Sequence, residues 1–517
     1  MSSNKAAGLK AEGNAFYTKK EYQPAIGKYT EAIAVDGKNA VLYCNRAACH
    51  LALKDYQKAR ADSQKATELD PKYSKAWGRL ATSFEVPIDA WNKALSSAEP
   101  KQQDQYKTAL LAALNKLTMN GEQLSEAMMG LTMKTSDDAA KNPPWVLAKQ
   151  LLPRLERDGN WGSSAFVITF AADQFIDGCR LMKMSKRIMT PMGYAMAGPS
   201  GAIEQMSNAL IQDQRCFAIS DPKWADMWNL QVEMEMRQFG APNPALSADG
   251  IIAEARKMRA EGGFDRVRPA IGILLRVMFM RASVEAGLKS KHAEAVAAYD
   301  KVLKVQRWGR EEWKNISKDD RGAVFEDTLI RGVRCLRLDS YMQAVQTDKT
   351  GRFTFDGLRA EAEDLLNEVR STPLAVDPEH PRFQTAFSFY PQGQALSMLG
   401  MYYNIKGQAT RRTELLKKSA KLYFEAAKMY PEDDEMHLWF LQSGLCILFN
   451  SGAPLKETMP LLDRIRRLQP IMVKIWKNSA LGMQGRDAAT QPYLSFEEKI
   501  KKDLAAGRVS LEDVRAP

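Results

Sequence analysis

Small and aromatic residues recur at helical spacing along the first part of the chain. The pattern as a whole repeats after 34 residues, so that residues 6–39, 40–73 and a third segment from 74 align. That period belongs to repeats of two antiparallel helices stacked into a solenoid. In the first unit Leu9, Gly13, Phe16, Ala25, Tyr29 and Ala32 hold the packing positions, and in the second Tyr43, Ala47, Ala59, Ala66 and Pro71 do. The small residues let helix backbones approach and the aromatics fill the space beside them. Pro71 closes a helix, because its ring cannot continue one.

The third unit opens in register, with Trp77 at the site of Leu9 and Tyr43 and Phe84 at that of Phe16. It then shortens: Phe84 to Trp91 is seven residues where Phe16 to Tyr29 is thirteen. Trp91 and Ala94 take the places of Tyr29 and Ala32, and Pro87 opens the second helix. Residues 102–119, with Tyr106, Leu110, Leu111, Leu114 and Leu117 at helical spacing, read as a final helix over the exposed face of the last repeat. The pattern therefore assigns a repeat domain to residues 1–119, a linker to 120–144 and a second region to 145–517.

Residues 145–517 are helical in pattern but lack a clean period. Stretches 166–189 and 224–239 read as helices, the second with Trp224, Met227, Trp228, Leu230, Met234 and Met236 as core. Ala295, Tyr299 and Val302 repeat the spacing of Ala25, Tyr29 and Ala32, and Gly400 with Tyr403, then Phe424, Ala427 and Pro431, echo it again. The expected fold is all-α, an N-terminal repeat superhelix followed by a larger helical region that is a degenerate solenoid of the same kind.

Composition contributes exclusions. With 45% hydrophobic and 26% charged residues the chain is of the folded, globular class. Cys44, Cys49, Cys179, Cys216, Cys335 and Cys446 are scattered, with no CxxC pair and no Cys/His cluster, which implies reduced thiols, no metal and no cofactor. The most apolar windows, 165–172 and 271–280, are far shorter than the roughly 20 residues of a membrane helix. The second also contains Arg276. The opening Met1-Ser2-Ser3-Asn4-Lys5 lacks the apolar stretch of a secretory signal, so the expectation is a cytoplasmic protein with no membrane partner.

Charge points to the kind of partner. The net charge is +11, and residues 1–117 hold 18 Lys or Arg against 12 Asp or Glu, about half of the excess. That favours an anionic partner for the N-terminal region. The cations are interspersed with carboxylates rather than massed, so nucleic acid is not expected. Arg464, Arg466 and Arg467 with Lys474 and Lys477 form a second basic cluster, readable as a solvated face or as a site for an acidic partner. His50, His292, His380 and His437 stand apart, without HExxH, a nucleophile elbow or a kinase signature, and Gly198-Pro199-Ser200-Gly201 lacks the Lys-Ser/Thr of a phosphate loop. No catalytic residue is assigned, and the expected protein is not an enzyme.

The remaining signal lies on the groove side of the repeat, which the first helix of each pair lines. Lys10 and Asn14 occupy unit positions 5 and 9, Asn45 position 6, and Lys75 and Arg79 positions 2 and 6. Steps of three or four residues put these positions on one helix face. Taken singly, the cations read as a solvated face and the amides as helix-to-helix hydrogen bonds. Together, three cations and two amides supply what two carboxylates need: point charge from lysine, a planar fork from arginine, and orientation without repulsion from asparagine.

Through Gly-Leu-Lys10-Ala-Glu-Gly-Asn14, Tyr-Cys-Asn45-Arg and Ser-Lys75-Ala-Trp-Gly-Arg79 the region resembles the carboxylate-clamp tetratricopeptide domains of co-chaperones, such as the Hsp-organising protein and small glutamine-rich co-chaperones. The resemblance covers roughly a quarter of the chain. It implies that Lys10, Asn14, Asn45, Lys75 and Arg79 bind the Glu-Glu-Val-Asp C-terminal tail of a cytosolic heat-shock chaperone of the seventy- or ninety-kilodalton class. The clamp takes the terminal carboxylate and the last Asp side chain. The implied function is an adaptor or co-chaperone whose residues 145–517 meet an unknown second partner. Two alternatives stay open: a scaffold for another acidic C-terminal peptide, and an enzyme of unrecognised type recruited to chaperones by the clamp.

Overall fold

The computed structural model describes residues 2–53, 55–71, 73–83, 141–190, 193–219, 221, 223–348, 350–374 and 381–517. The shortened part of the third repeat (Phe84, Pro87, Trp91, Ala94), the final helix expected over 102–119, most of the linker and His380 lie outside them. The chain divides into two compact units, Met1–Asn120 with Asn404–Thr413 and Gly121–Tyr403 with Glu414–Pro517. The fold is all-α, and among the described residues the only sheet is one two-stranded ribbon.

In the first unit, α1 (Ser2–Thr18) and α2 (Tyr22–Val35) form one pair, and α3 (Ala40–Ala52) and α4 (Tyr56–Leu69) the next. Helix α5 (Ser74–Ser83) opens the third. The pairs meet where the sequence is small: Ala25, Ala32, Ala47, Ala59 and Ala66 all have 0% exposure. At Gly13 the Tyr29 ring is so close that a Cβ there would lie 2.7 Å from its Cε1, so no larger residue fits without separating α1 from α2. Side-chain acceptors from Asn39 and Asp55 cap α3 and α4 by bonding backbone N–H groups that the helix itself leaves unpaired. Arg46 binds Asp62 with both arms of its fork (2.8 and 2.7 Å) and Thr30 Oγ1 at 2.9 Å, joining α2, α3 and α4. His50 is buried, and that burial lowers its pKa, so it is a neutral core residue.

The second unit contains α6 (Pro144–Arg157), α7 (Ser164–Met184), α8 (Ala202–Gln212) and α9 (Trp224–Gln238). The long kinked α10 (Ala248–Lys289) follows, then α11 (His292–Glu312), α12 (Asp327–Thr347) and α13 (Phe355–Ser371). The run ends with α14 (Tyr390–Thr410), α15 (Thr413–Lys428), α16 (Glu435–Asn450), α17 (Leu455–Trp476) and α18 (Arg486–Ala505). Ala295, Tyr299 and Val302 are buried, and the Tyr299 hydroxyl lies 2.7 Å from Ser283 Oγ on the preceding helix. Gly400 faces Tyr423, and Gly444 faces Phe424, at distances where no Cβ fits without a shift. The glycine-against-aromatic contact of the first unit is thus reused. The aromatic facing Gly400 is Tyr423, one residue before the Phe424 that the sequence pattern selects, and Phe424 instead serves the following helix.

One sequence expectation is corrected. The helix read over 166–189 ends at Met184, and β1 (Lys186–Thr190) pairs antiparallel with β2 (Gly193–Ala197), Met189 opposite Tyr194. A short apolar run does not distinguish helix from strand by itself. Here the exit from α7 is held by Ser185 Oγ, which donates to Gln231 Oε1 at 2.6 Å. In the basic cluster of α17, Arg464 pairs with Glu432 (3.2 Å), Arg466 with Glu497 (2.5 Å) and the largely exposed Arg467 with Asp463 (3.1 Å), as on a solvated face.

The second unit is fastened by charges that periodicity does not reveal. Arg215, between α8 and α9, binds Asp213 (2.9 and 2.8 Å) and Asp434 (2.7 and 2.9 Å), and stacks 3.9 Å over Trp476. The Tyr390 hydroxyl donates to Asp434 at 2.8 Å, and Arg486 donates to the neighbouring Glu435 at 2.6 Å. Arg215, Asp213, Asp434, Glu435 and Arg486 are buried, so removing one partner strands an uncompensated charge. Arg215→Ala is expected to lower the unfolding free energy by about 3–5 kcal/mol, read by urea denaturation followed by circular dichroism. An unchanged midpoint would show that the network does not hold this unit together.

Candidate functional site

Helices α1, α3 and α5 carry the polar residues singled out above. On α1, Lys10 and Asn14 are one turn apart, as are Lys75 and Arg79 on α5, while Asn45 sits on α3. Three of the five are linked directly. Arg79 Nη1 donates to Asn45 Oδ1 at 3.5 Å, and Asn45 Nδ2 donates to Asn14 Oδ1 at 3.2 Å. The same Arg79 nitrogen is anchored more tightly on the Cys44 carbonyl, at 2.6 Å, and approaches the Cys44 thiol at 2.7 Å. Arg79 thereby ties α5 to α3, and Asn45 ties α3 to α1.

Lys10 and Lys75 behave differently. Lys10 is half-buried and Lys75 exposed, and neither makes a hydrogen bond or ion pair with a described residue. Other lysines of the unit are paired: Lys28 with Glu12 at 2.9 Å, Lys58 with Asp55 at 2.9 Å and Lys65 with Glu68 at 3.2 Å. Burial pushes the Cys44 thiol above its ordinary pKa against the opposing pull of Arg79 and Lys75, and pushes Cys49 up to about 11. The thiols beside the site stay neutral at physiological pH, so they do not cancel its positive charge. Asn14, Asn45 and Arg79 form a connected row across α1, α3 and α5, with Lys10 one helical turn from Asn14 and Lys75 one turn from Arg79.

Two participants escaped the sequence reading. The Tyr29 hydroxyl donates to Asn14 Oδ1 at 2.7 Å, although position 29 reads only as a packing site. The readable signal was the hydroxyl itself, because at 1% exposure a phenolic O–H requires a partner that Phe would not. Cys44, which anchors Arg79, acts mainly through its backbone carbonyl and so carried no sequence signal. In the second unit a cleft of about 350 Å³ is lined by residues including Asp300, Arg334, Arg337, Glu361 and Asp364. Two of its guanidinium groups are paired, Arg337 with Asp300 and Glu361 and Arg334 with Asp364.

The chain matches no protein-family model. It is 49% identical over 79 residues to the heat shock protein sti1 homolog of Schizosaccharomyces pombe, 15% of this chain and 13% of that protein. It is 47% identical over 97 residues to the small glutamine-rich tetratricopeptide repeat-containing protein 2 of Saccharomyces cerevisiae, 18% of this chain and 28% of that one. With the heat-shock protein cognate co-chaperone sgt12 of Aspergillus fumigatus it shares 36% identity over 115 residues, 21% and 34% of the two chains. The chain thus spans between 13% and 34% of the length of these relatives. Its N-terminal region is similar to tetratricopeptide co-chaperones.

The contrast among the cations can be measured without a ligand. Lys10→Ala and Lys75→Ala are expected to change the unfolding free energy by less than about 0.5 kcal/mol. Arg46→Ala, which breaks a two-armed ion pair, should lower it by about 1–3 kcal/mol. Thermal melts of the three variants decide the point, and a large loss in either lysine variant would mark that lysine as a structural residue.

Proposed function

We propose that the groove lined by α1, α3 and α5 binds the acidic C-terminal tail of a cytosolic heat-shock chaperone, with Lys10, Asn14, Asn45, Lys75 and Arg79 as a carboxylate clamp. The protein acts as a cytoplasmic, non-enzymatic adaptor. Residues 1–119 are the tail-binding module, 120–144 its linker, and 145–517 the region that meets a second partner. The observation that carries this reading is the row Asn14, Asn45 and Arg79, bonded one to the next, with Lys10 and Lys75 one helical turn from its ends and without partners among the described residues. Sequence similarity to co-chaperones over the N-terminal region supports the chaperone as the source of the tail.

The physics of such a site favours modest, reversible binding. Each charge-assisted hydrogen bond contributes roughly 1.5–3 kcal/mol, and ordering a flexible tail removes much of the sum. What remains corresponds to a dissociation constant on the order of micromolar, about −8 kcal/mol. Because the attraction is between charges at a largely open groove, it weakens as salt shortens the screening length.

Titration calorimetry with a Glu-Glu-Val-Asp peptide tests the proposal. Arg79→Ala or Lys10→Ala should weaken binding at least about tenfold, and amidating the peptide's C-terminus should do likewise. Normal binding of the amidated peptide contradicts the clamp. A panel of other acidic C-termini separates chaperone tails from a different acidic ligand: tighter binding of a non-chaperone sequence would reassign the partner and leave the clamp in place.

A further inference from the structure

The polarity of the amide row is fixed from one end. A guanidinium donates and never accepts, so Arg79 Nη1, 3.5 Å from Asn45, requires the Asn45 oxygen to face it. Asn45 must then turn its Nδ2 toward Asn14, at 3.2 Å, and that nitrogen needs an acceptor, which makes Oδ1 the atom Asn14 presents. The Tyr29 hydroxyl lies 2.7 Å from the same oxygen and so acts as donor. Asn14 Oδ1 accepts two hydrogen bonds, one from each neighbouring helix, while its Nδ2 has no acceptor among the described residues. Asn14 is exposed, so that nitrogen is available to a ligand.

We propose that Tyr29 is a positioning residue of the clamp: its hydroxyl locks the Asn14 side chain with the oxygen inward and the nitrogen outward, so that Asn14 meets a bound carboxylate only as a donor. This inference rests on the clamp reading above. Without the hydroxyl, Asn14 is held by the longer bond from Asn45 alone, and a half-turn of its amide sets an oxygen against the anion. The ring of Tyr29 packs on Gly13 whether or not it carries the hydroxyl, so Tyr29→Phe removes the lock and keeps the packing. Burial holds the phenol protonated by pushing its pKa up to about 12, so the lock persists across physiological pH.

The test uses the full chain and acetylated Glu-Glu-Val-Asp, as free acid and as C-terminal amide, in titration calorimetry. Tyr29→Phe is expected to weaken binding of the free acid about two- to tenfold, to leave binding of the amide unchanged and to melt with the wild type. In an Asn14→Ala background the same substitution should have no further effect, since the group it orients is gone. A Tyr29→Phe protein that binds the free acid like the wild type overturns the proposal. So does a loss that is equal for acid and amide, or one that persists in the Asn14→Ala background. If the wild type binds acid and amide alike, the clamp itself is refuted and the role of Tyr29 falls with it; a wild type that discriminates while Tyr29→Phe discriminates equally refutes only the latter.

Discussion

An aromatic ring can seat against a neighbouring helix's backbone only where that helix offers no side chain, and Gly13 against the Tyr29 ring is such a place. That contact sets the spacing of α1 and α2, and with it the distance from which Asn14 reaches Asn45 across to α3. The second unit meets the same demand with Gly400 against Tyr423 and Gly444 against Phe424. The aromatic is large enough to fill the gap beside the bare backbone, and at position 29 it also brings a hydroxyl to the groove. Packing and recognition therefore share one residue in the first unit.

The repeat was legible because its constraints are local and periodic. Alanines at 25, 32, 59 and 66 recur at a fixed spacing and are all fully buried. The same locality made Lys10 with Asn14 and Lys75 with Arg79 readable as pairs one helical turn apart. What escaped was long-range or dual-purpose. Nothing around Arg215 in the sequence announces Asp434, more than two hundred residues away, because an isolated buried charge has no period. Tyr29 was read for its ring and missed for its oxygen. Strand β1 was absorbed into α7 because Ile188 and Met189 extend an apolar stretch that suits either structure.

The two units differ in a few cations. In the second, Arg215, Arg334, Arg337, Arg466 and Arg486 all end on carboxylates of the same unit, several of them buried. Their charge is consumed in holding elements together, and breaking one pair is expensive because the surrounding protein cannot replace water. In the first, Arg46 follows that rule with Asp62, but Lys10 and Lys75 do not. Arg79 is intermediate: among the described residues its partners are a carbonyl, a thiol and an amide, neutral groups that orient the guanidinium without neutralising it. A charge that is fixed in place but left uncompensated attracts a ligand of opposite sign at little reorganisation cost.

Whether that ligand is a peptide carboxylate, and whether the amide row meets it nitrogen-first, is decided most directly by a crystal structure of the full chain with bound Glu-Glu-Val-Asp. The account requires carboxylate oxygens within about 3 Å of Asn14 Nδ2 and Asn45 Nδ2, with Lys10, Lys75 and Arg79 around them and the Tyr29 hydroxyl still on Asn14 Oδ1. A peptide seated elsewhere, or one whose carboxylates leave Asn14 and Asn45 untouched, contradicts it.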